Sequence, residues 1–485
     1  MLLTRPGVLF AGLISLCALV ATAALPAVPD TAILIPFAVL AIAWAVGLML
    51  TDPDNRPAEH PDRLGLGRHR RQGRLGAARE LLLHLAPVGL LMVIYPIAAQ
   101  RIDTSVGGTP LLTILLASSV TVPWLSQSAC LPLYRAVGDL LPLTNTSDTA
   151  QIERRMVAAW PSTVLLTAPS VLLFAVPLQL VFGWSMQALG VYIVLAFLHL
   201  LFAQSVVLTN VARRRGLWAL SWLAYAVAIF VVPTWWALPA TLATLVQMWS
   251  LRHGIAALFT RGTQHLSPVA LDPKTTWFDI IRGFLLGSVL WADKLLLFAA
   301  TAGAFAVDVV YLAMLPVVLA YNYYFVRLAP GFDRDVLAVR HALENERFSA
   351  LTRASNHLVG GTKEALMRTG AVAALLNAGI GALIVVAFPA SAALVVGVAL
   401  ASWLFMAATL LGYKLDYVGR TQTAMAYGAA HLALAVLAFA FLPVIAAYVV
   451  LIVGGVVLVA AAARSTYDSW SSPAYTLFWR HATSW

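Results

Sequence analysis

Four ionisable side chains fall within one apolar stretch, WFDIIRGFLLGSVLWADKLLLF: Asp279, Arg282, Asp293 and Lys294. At about 100° per residue they lie within a helical arc of about 120°, and Arg282 and Asp293 are almost collinear, about three turns apart. A charge at bilayer depth costs about 2.5–3.5 kcal/mol on insertion scales, so such a face looks into a water-filled cavity or the interior of a bundle. The chemistry on offer is recognition. The Arg282 guanidinium and the Lys294 ammonium attract phosphate, carboxylate or sugar hydroxyls, while Asp279 and Asp293 position those cations or bind a coupling cation. Arg282 and Lys294 are separated by about 18 Å of rise, enough for two stations along a passage. Because Asp293 and Lys294 are adjacent, each is expected to need a partner on another helix, and Asp308 is a candidate for Lys294. Asn322 is the remaining candidate; its neighbours Tyr321, Tyr323 and Tyr324 read as an interfacial belt or as a platform for sugar faces. A structural reading competes throughout: Asp279 and Arg282 can pair at i, i+3, and Lys294 can snorkel to the headgroups.

The elements that must position these groups are membrane helices. Of 485 residues, 61% are hydrophobic and 11% charged, whereas a soluble domain has roughly 25% charged residues. Apolar runs near 20 residues recur along the whole chain, predicting an all-α polytopic membrane protein with about 14 transmembrane helices. Nearly all of the 31 Lys and Arg residues fall in alternate connecting segments, Arg101, Arg282 and Lys294 excepted. By the positive-inside rule both termini are cytoplasmic, and the basic balance reports inner loops rather than nucleic acid. Cys17 and Cys130 lie in apolar runs, which argues against a disulfide framework or metal cluster. No phosphate-binding GxxxxGK[ST] stretch and no HExxH appear, and the outer turns offer little beyond Asp30, Asp103 and Asp308, so transport is favoured over catalysis, with no cofactor.

Loop lengths reveal a repeat. Two blocks each have two spans, a long inner segment and four more spans, predicting six-helix lobes at 81–256 and 277–463 joined by a connector at 257–276. Residues 1–50 form an accessory hairpin, with the N-terminal run read as a retained helix, followed by an Arg-rich cytoplasmic loop at 51–80. The segment 328–368 carries Phe332, Val336, Leu337, Val339 and Leu343 at helical spacing and is expected to lie along the inner membrane face. It is read either as a helix packed beneath its lobe or as a lipid sensor. Residues 464–485 form a cytoplasmic tail. Isolated His84, His199 and His431 read as core histidines.

The stretch GFLLGSVLWADKLLLF, followed by DVVYLAMLPVVLAYNYYFVRLAPGF, resembles the PelG family of exopolysaccharide transport membrane proteins. The residues carrying the likeness are Trp291, Ala292, Asp293, Lys294, Phe325, Val326, Arg327 and Phe332, joined by YKLDYVGR (Tyr413, Leu415, Asp416, Arg420) and the aromatic tail YDSWSSPAYTLF. The resemblance covers about a third of the chain, mainly the second lobe. It implies a branch of the polysaccharide and lipid flippase superfamily with a MATE-type fold. It also implies a saccharide substrate, lipid-linked or growing, moved by alternating access, with a cytosolic glycosyltransferase and other membrane subunits as partners besides lipids. The accessory hairpin departs from that family's twelve-helix pattern. An ion-coupled multidrug exporter of the same fold and a non-transporting scaffold for a glycosyltransferase remain alternatives.

Overall fold

The computed structural model describes residues 34–50, 81–82, 85, 92, 94–136, 149–211, 215–259, 271–304 and 306–482. The first predicted span, the Arg-rich loop, most of the connector and His84 lie outside them. Among the described residues nine helices are long and apolar enough to cross a membrane, with shorter apolar helices at Ala38–Leu50 and Gly216–Val231. Helices suit a bilayer because each satisfies its own backbone hydrogen bonds. The all-α polytopic expectation holds. Among the described residues the one strand pairing is a two-residue ribbon, β1 (Ser105–Val106) with β2 (Thr109–Pro110), turned by Gly107 and Gly108 at φ of 56° and 84°. Such a turn needs two left-handed residues, which glycine adopts without steric cost.

The chain forms two compact units. After α1 (Leu34–Leu50), the described helices of the first unit are α2 (Leu111–Ala129), α3 (Leu131–Ala136), α4 (Thr149–Thr167), α5 (Leu172–Phe182), α6 (Met186–Val211), α7 (Arg215–Val231), α8 (Leu238–Phe259) and α9 (Pro273–Ala300). The second unit holds α1 together with α10 (Val307–Tyr323), α11 (Ala329–Asn345), α12 (Phe348–Ala387), α13 (Ala392–Tyr417), α14 (Thr421–Phe441), α15 (Val444–Trp470) and α16 (Pro473–Ala482).

Two placements differ from the block-by-block expectation. The division falls at Phe305/Ala306, so α9, expected to open the second lobe, packs on α2, α3 and α4. And α1, expected as an accessory element, packs along α12, where Ala38, Ala382 and Val396 share a buried cluster. Gly379 makes that contact possible: a Cβ there would stand 2.8 Å from the Ala38 carbonyl oxygen. Arg368 fastens the far end by donating to the Leu48 carbonyl.

The predicted inner-face segment is two helices. α11 buries Phe332, Val336 and Val339 against Leu358, Val418 and Trp470, so its apolar stripe meets protein. After a break at Glu346 and Arg347, α12 runs unbroken for 40 residues. At 1.5 Å per residue that is about 60 Å, twice the hydrocarbon thickness of about 30 Å, so its first half extends beyond the bilayer.

Candidate functional site

The charged helix α9 is well specified at its ends. Asp272 caps it by accepting the Thr275 N–H at 2.9 Å, and Pro273 occupies the first turn, where a missing N–H costs nothing. At the other end Gly303, at φ 80°, donates its N–H to the Phe298 carbonyl at 2.8 Å and closes the last turn.

Between these caps, Gly283 and Gly287 cut a notch into which α2 fits. A Cβ on Gly283 would meet Ser128 Cα at 2.5 Å, and one on Gly287 would meet Trp124 Cδ1 at 2.9 Å. Trp124 locks the contact. Its Nε1–H donates to the Phe284 carbonyl at 2.7 Å, and its ring stacks on that of Phe284 with centroids 4.6 Å apart. Further along, Gly303 approaches Thr113, so α2 and α9 run antiparallel. This register puts Asp293 and Lys294 level with Ser118 and Thr121 of α2.

The four charges form two groups within the first unit. Near the start of α9, the buried Asp279 Oδ1 accepts from Arg135 Nη2 at 2.7 Å and from Arg282 Nη2 at 3.2 Å. Deeper, Asp293 is fully buried and Lys294 is 1% exposed. Their side chains meet, Lys294 Nζ lying 2.9 Å from Asp293 Oδ1 and 3.2 Å from the Leu290 carbonyl. This corrects the expectation that adjacent residues cannot serve one another: the four-carbon lysine stem is flexible enough to curl back along its own helix. Thr121 and Tyr192 of α6 bond to each other at 2.8 Å and are buried at this level.

Asp308 and Asn322 belong to the other unit, on α10. Asp308, the expected partner of Lys294, accepts the Val309 N–H at 3.0 Å, and Asn322 donates to the Val318 carbonyl at 2.8 Å. The tyrosine row beside Asn322 is only partly a belt. Tyr323 and Tyr324 are buried, whereas Tyr321 bonds the Tyr413 hydroxyl at 3.0 Å. Trp235, by contrast, is exposed at its turn as a belt residue should be. His199 is a satisfied core histidine, with Leu195 O and Tyr225 Oη each 2.8 Å from its ring nitrogens.

Sequence reasoning missed Arg135, counted there only as a basic loop residue. The signal was available: a carboxylate as deep as Asp279 requires a cation from somewhere. It also missed Lys414, buried with its Nζ 2.9 Å from the centroid of the Phe332 ring.

No protein-family model matches the chain, and no curated protein does. Solved structures do. The chain superposes on the outward-facing conformation of a multidrug resistance MATE family transporter of the MOP superfamily, with a TM-score of 0.51 at 12% identity, over 81% of this chain and 96% of that one. The inward-facing conformation of a multidrug resistance MATE family transporter gives 0.41 at 12% identity, covering 81% and 95%. A MATE transporter of Vibrio cholerae gives 0.43 at 13%, covering 82% and 98%. The first likeness defines the fold class: an all-α polytopic membrane protein of MATE type.

Proposed function

We propose that the chain is a transporter of the bacterial inner membrane that moves a saccharide outward by alternating access, as a lipid-linked unit or a growing chain. The observation that carries this reading is the buried charged face of α9 within a MATE-type fold. A buried ion pair is a poor device for stability, because desolvation cancels much of its Coulombic gain. Intramembrane charges more often mark a substrate or ion path. Arg282 and Lys294 would bind phosphate, carboxylate or hydroxyls in one state, exchanging them for Asp279 and Asp293 in the other. Asp308 and Asn322 are proposed as further substrate or ion contacts. The saccharide is suggested by the PelG-like stretches around Asp293–Lys294 and Tyr413–Arg420, as are a cytosolic glycosyltransferase and further membrane subunits as partners. Both termini would be cytoplasmic. The chain is proposed to act without enzymatic chemistry of its own.

A multidrug exporter is the second reading, favoured by the cargo named for the structural neighbour. Purified protein in liposomes, given labelled lipid-linked saccharide or a lipophilic cation under an ion gradient without ATP, separates the two. Saccharide movement lost in Lys294→Ala supports the proposal. Movement of the cation alone would replace it with the exporter, and movement of neither, with a glycosyltransferase still held at the membrane, would leave a scaffold.

A further inference from the structure

The deep pair on α9 gathers oxygen atoms around a positive charge in the manner of an ion-binding site. Lys294 Nζ lies 2.9 Å from the Asp293 carboxylate and 3.2 Å from the Leu290 carbonyl. Carboxylates and backbone carbonyls are the donors that hard cations take. An ammonium is a compact point charge with three N–H donors, so it satisfies the same oxygens that a free monovalent cation would. Here the cation is part of the chain.

Burial and direction both hold it in place. Asp293 is fully buried and Lys294 is 1% exposed, so the pair is cut off from bulk water. Lysines near the end of a span commonly run out to the headgroups. Lys294 stands about 9 Å of rise from the end of α9 at Ala300, yet its ammonium is held a turn further from that end, at Leu290. Helical side chains lean towards the N-terminus of their helix, so this reach needs no turn against the backbone. Adjacent positions also make the pairing intramolecular. A free cation arriving at Asp293 must displace one that is tethered beside it.

We infer that Lys294 is the built-in cation of this site: at Asp293 it takes the place of a free monovalent cation, and the two are mutually exclusive. The wild-type site therefore binds neither sodium nor potassium while Lys294 is seated. A consequence for coupling rests on the transport reading above. Lys294 returns to Asp293 once its cargo has left, so the unloaded protein changes state with that carboxylate neutralised and no metal ion carried on it. Occupancy of the site by Lys294 does not depend on what the cargo is.

Thermal unfolding of the purified full chain in detergent tests it, with sodium, potassium or methylammonium chloride balanced by choline chloride at one ionic strength. Wild-type midpoints should coincide in all of them. Lys294→Ala vacates the place and leaves both oxygens. Its midpoint, low in choline, should rise with sodium, potassium or methylammonium, by an equal step for each tenfold in concentration above the dissociation constant. Asp293→Leu/Lys294→Met, which has lost the carboxylate, should be as flat as the wild type. No rise in Lys294→Ala, or an equal rise in the wild type, would overturn the inference. If Lys294→Ala does not fold, the wild type and the double variant decide. A rise with sodium or potassium in the wild type that the double variant lacks would show an exchangeable cation at Asp293 and overturn the built-in one, and coincident midpoints in both would uphold it. Failure of saccharide to move in liposomes, with these cation responses as expected, would count against the transport reading alone.

Discussion

The two units solve the same problem, holding helices together in lipid, with different materials. On α2, α6 and α9 stand Thr121, Tyr192, Asp293 and Lys294, all buried, and Gln204 links α4 to α2 by accepting from Trp160 at 3.2 Å while donating to the Ala129 carbonyl at 3.2 Å. In the second unit, Lys414 is the buried charge among the described residues, and much of the packing is steric. Gly397 lies against Tyr448, Gly455 against Leu404 and Phe405, and Gly379 against Ile42. Lipid tails are as apolar as leucine, so neither unit draws on the hydrophobic effect to join helices; small-residue packing and interhelical hydrogen bonds remain. Both units draw on both: in the second, Trp403 donates to the Gly370 carbonyl at 3.0 Å and Tyr427 to the Ala461 carbonyl at 3.2 Å. The first also keeps a buried ion pair, Asp293 with Lys294. Under the proposed function, that difference reflects a chemical requirement that stability alone would not impose.

The sharpest way to break the comparison is to remove one member of the deep pair. Asp293→Ala or Lys294→Ala leaves a buried charge without its main counter-ion and should destabilise the protein by about 3–5 kcal/mol, read as a loss of midpoint in detergent or thermal unfolding. The double variant Asp293→Leu/Lys294→Met removes both charges and should restore or exceed wild-type stability by about 1–4 kcal/mol. It should nevertheless abolish transport. A double variant as unstable as the singles would show that the pair is structural, and the contrast between the units would vanish.

Steric notches give the next largest effect. Gly283→Ala drives a Cβ to 2.5 Å from Ser128 Cα, a backbone atom that cannot step aside, whereas Gly397→Ala meets Tyr448 Cβ at 3.2 Å. Overpacking costs about 1–3 kcal/mol, with Gly283→Ala at the upper end and Gly397→Ala at the lower. Equal midpoints for the two variants would mean that α9 can slide on α2. Trp124→Phe separates the polar part of that contact from the apolar part. It keeps an aromatic ring against Phe284 but loses the 2.7 Å bond to its carbonyl, and should cost about 1 kcal/mol in thermal unfolding.

The smallest effect belongs to the cap of α9. Bonds from the Thr275 hydroxyl and then its N–H hold the Asp272 carboxyl below its ordinary value of 3.8. A group depressed in the folded state contributes stability that is present above its unfolded value and fades as pH falls through its folded value. Unfolding midpoints of wild type and Asp272→Asn should therefore differ at neutral pH and converge in acid below about pH 4. A gap that widens in acid would reverse the sign and remove the cap from the account.

The helices were legible along the chain. Apolar runs mark the spans, and the spacing of Phe332, Val336 and Val339 announces α11. The charged face of α9 was legible too, because helical period is a local property. Neighbours were not. Loop lengths grouped α9 with the helices that follow it and set α1 aside, while the structure packs α9 on α2 and α1 on α12. Every helix in lipid looks alike to hydropathy, so the choice of partner rests on shape and on polar pairs between distant residues. Arg135 and Asp279 are 144 positions apart, and only folding reveals that one anchors the other. The same holds for the notch at Gly283, which means nothing until Ser128 stands opposite it, and for Tyr323 and Tyr324, which a local pattern assigns to the interface and the packed unit buries. Pairing of Asp293 with Lys294 was missed for a different reason: a rotamer decides it, and rotamers answer to the space that other helices leave.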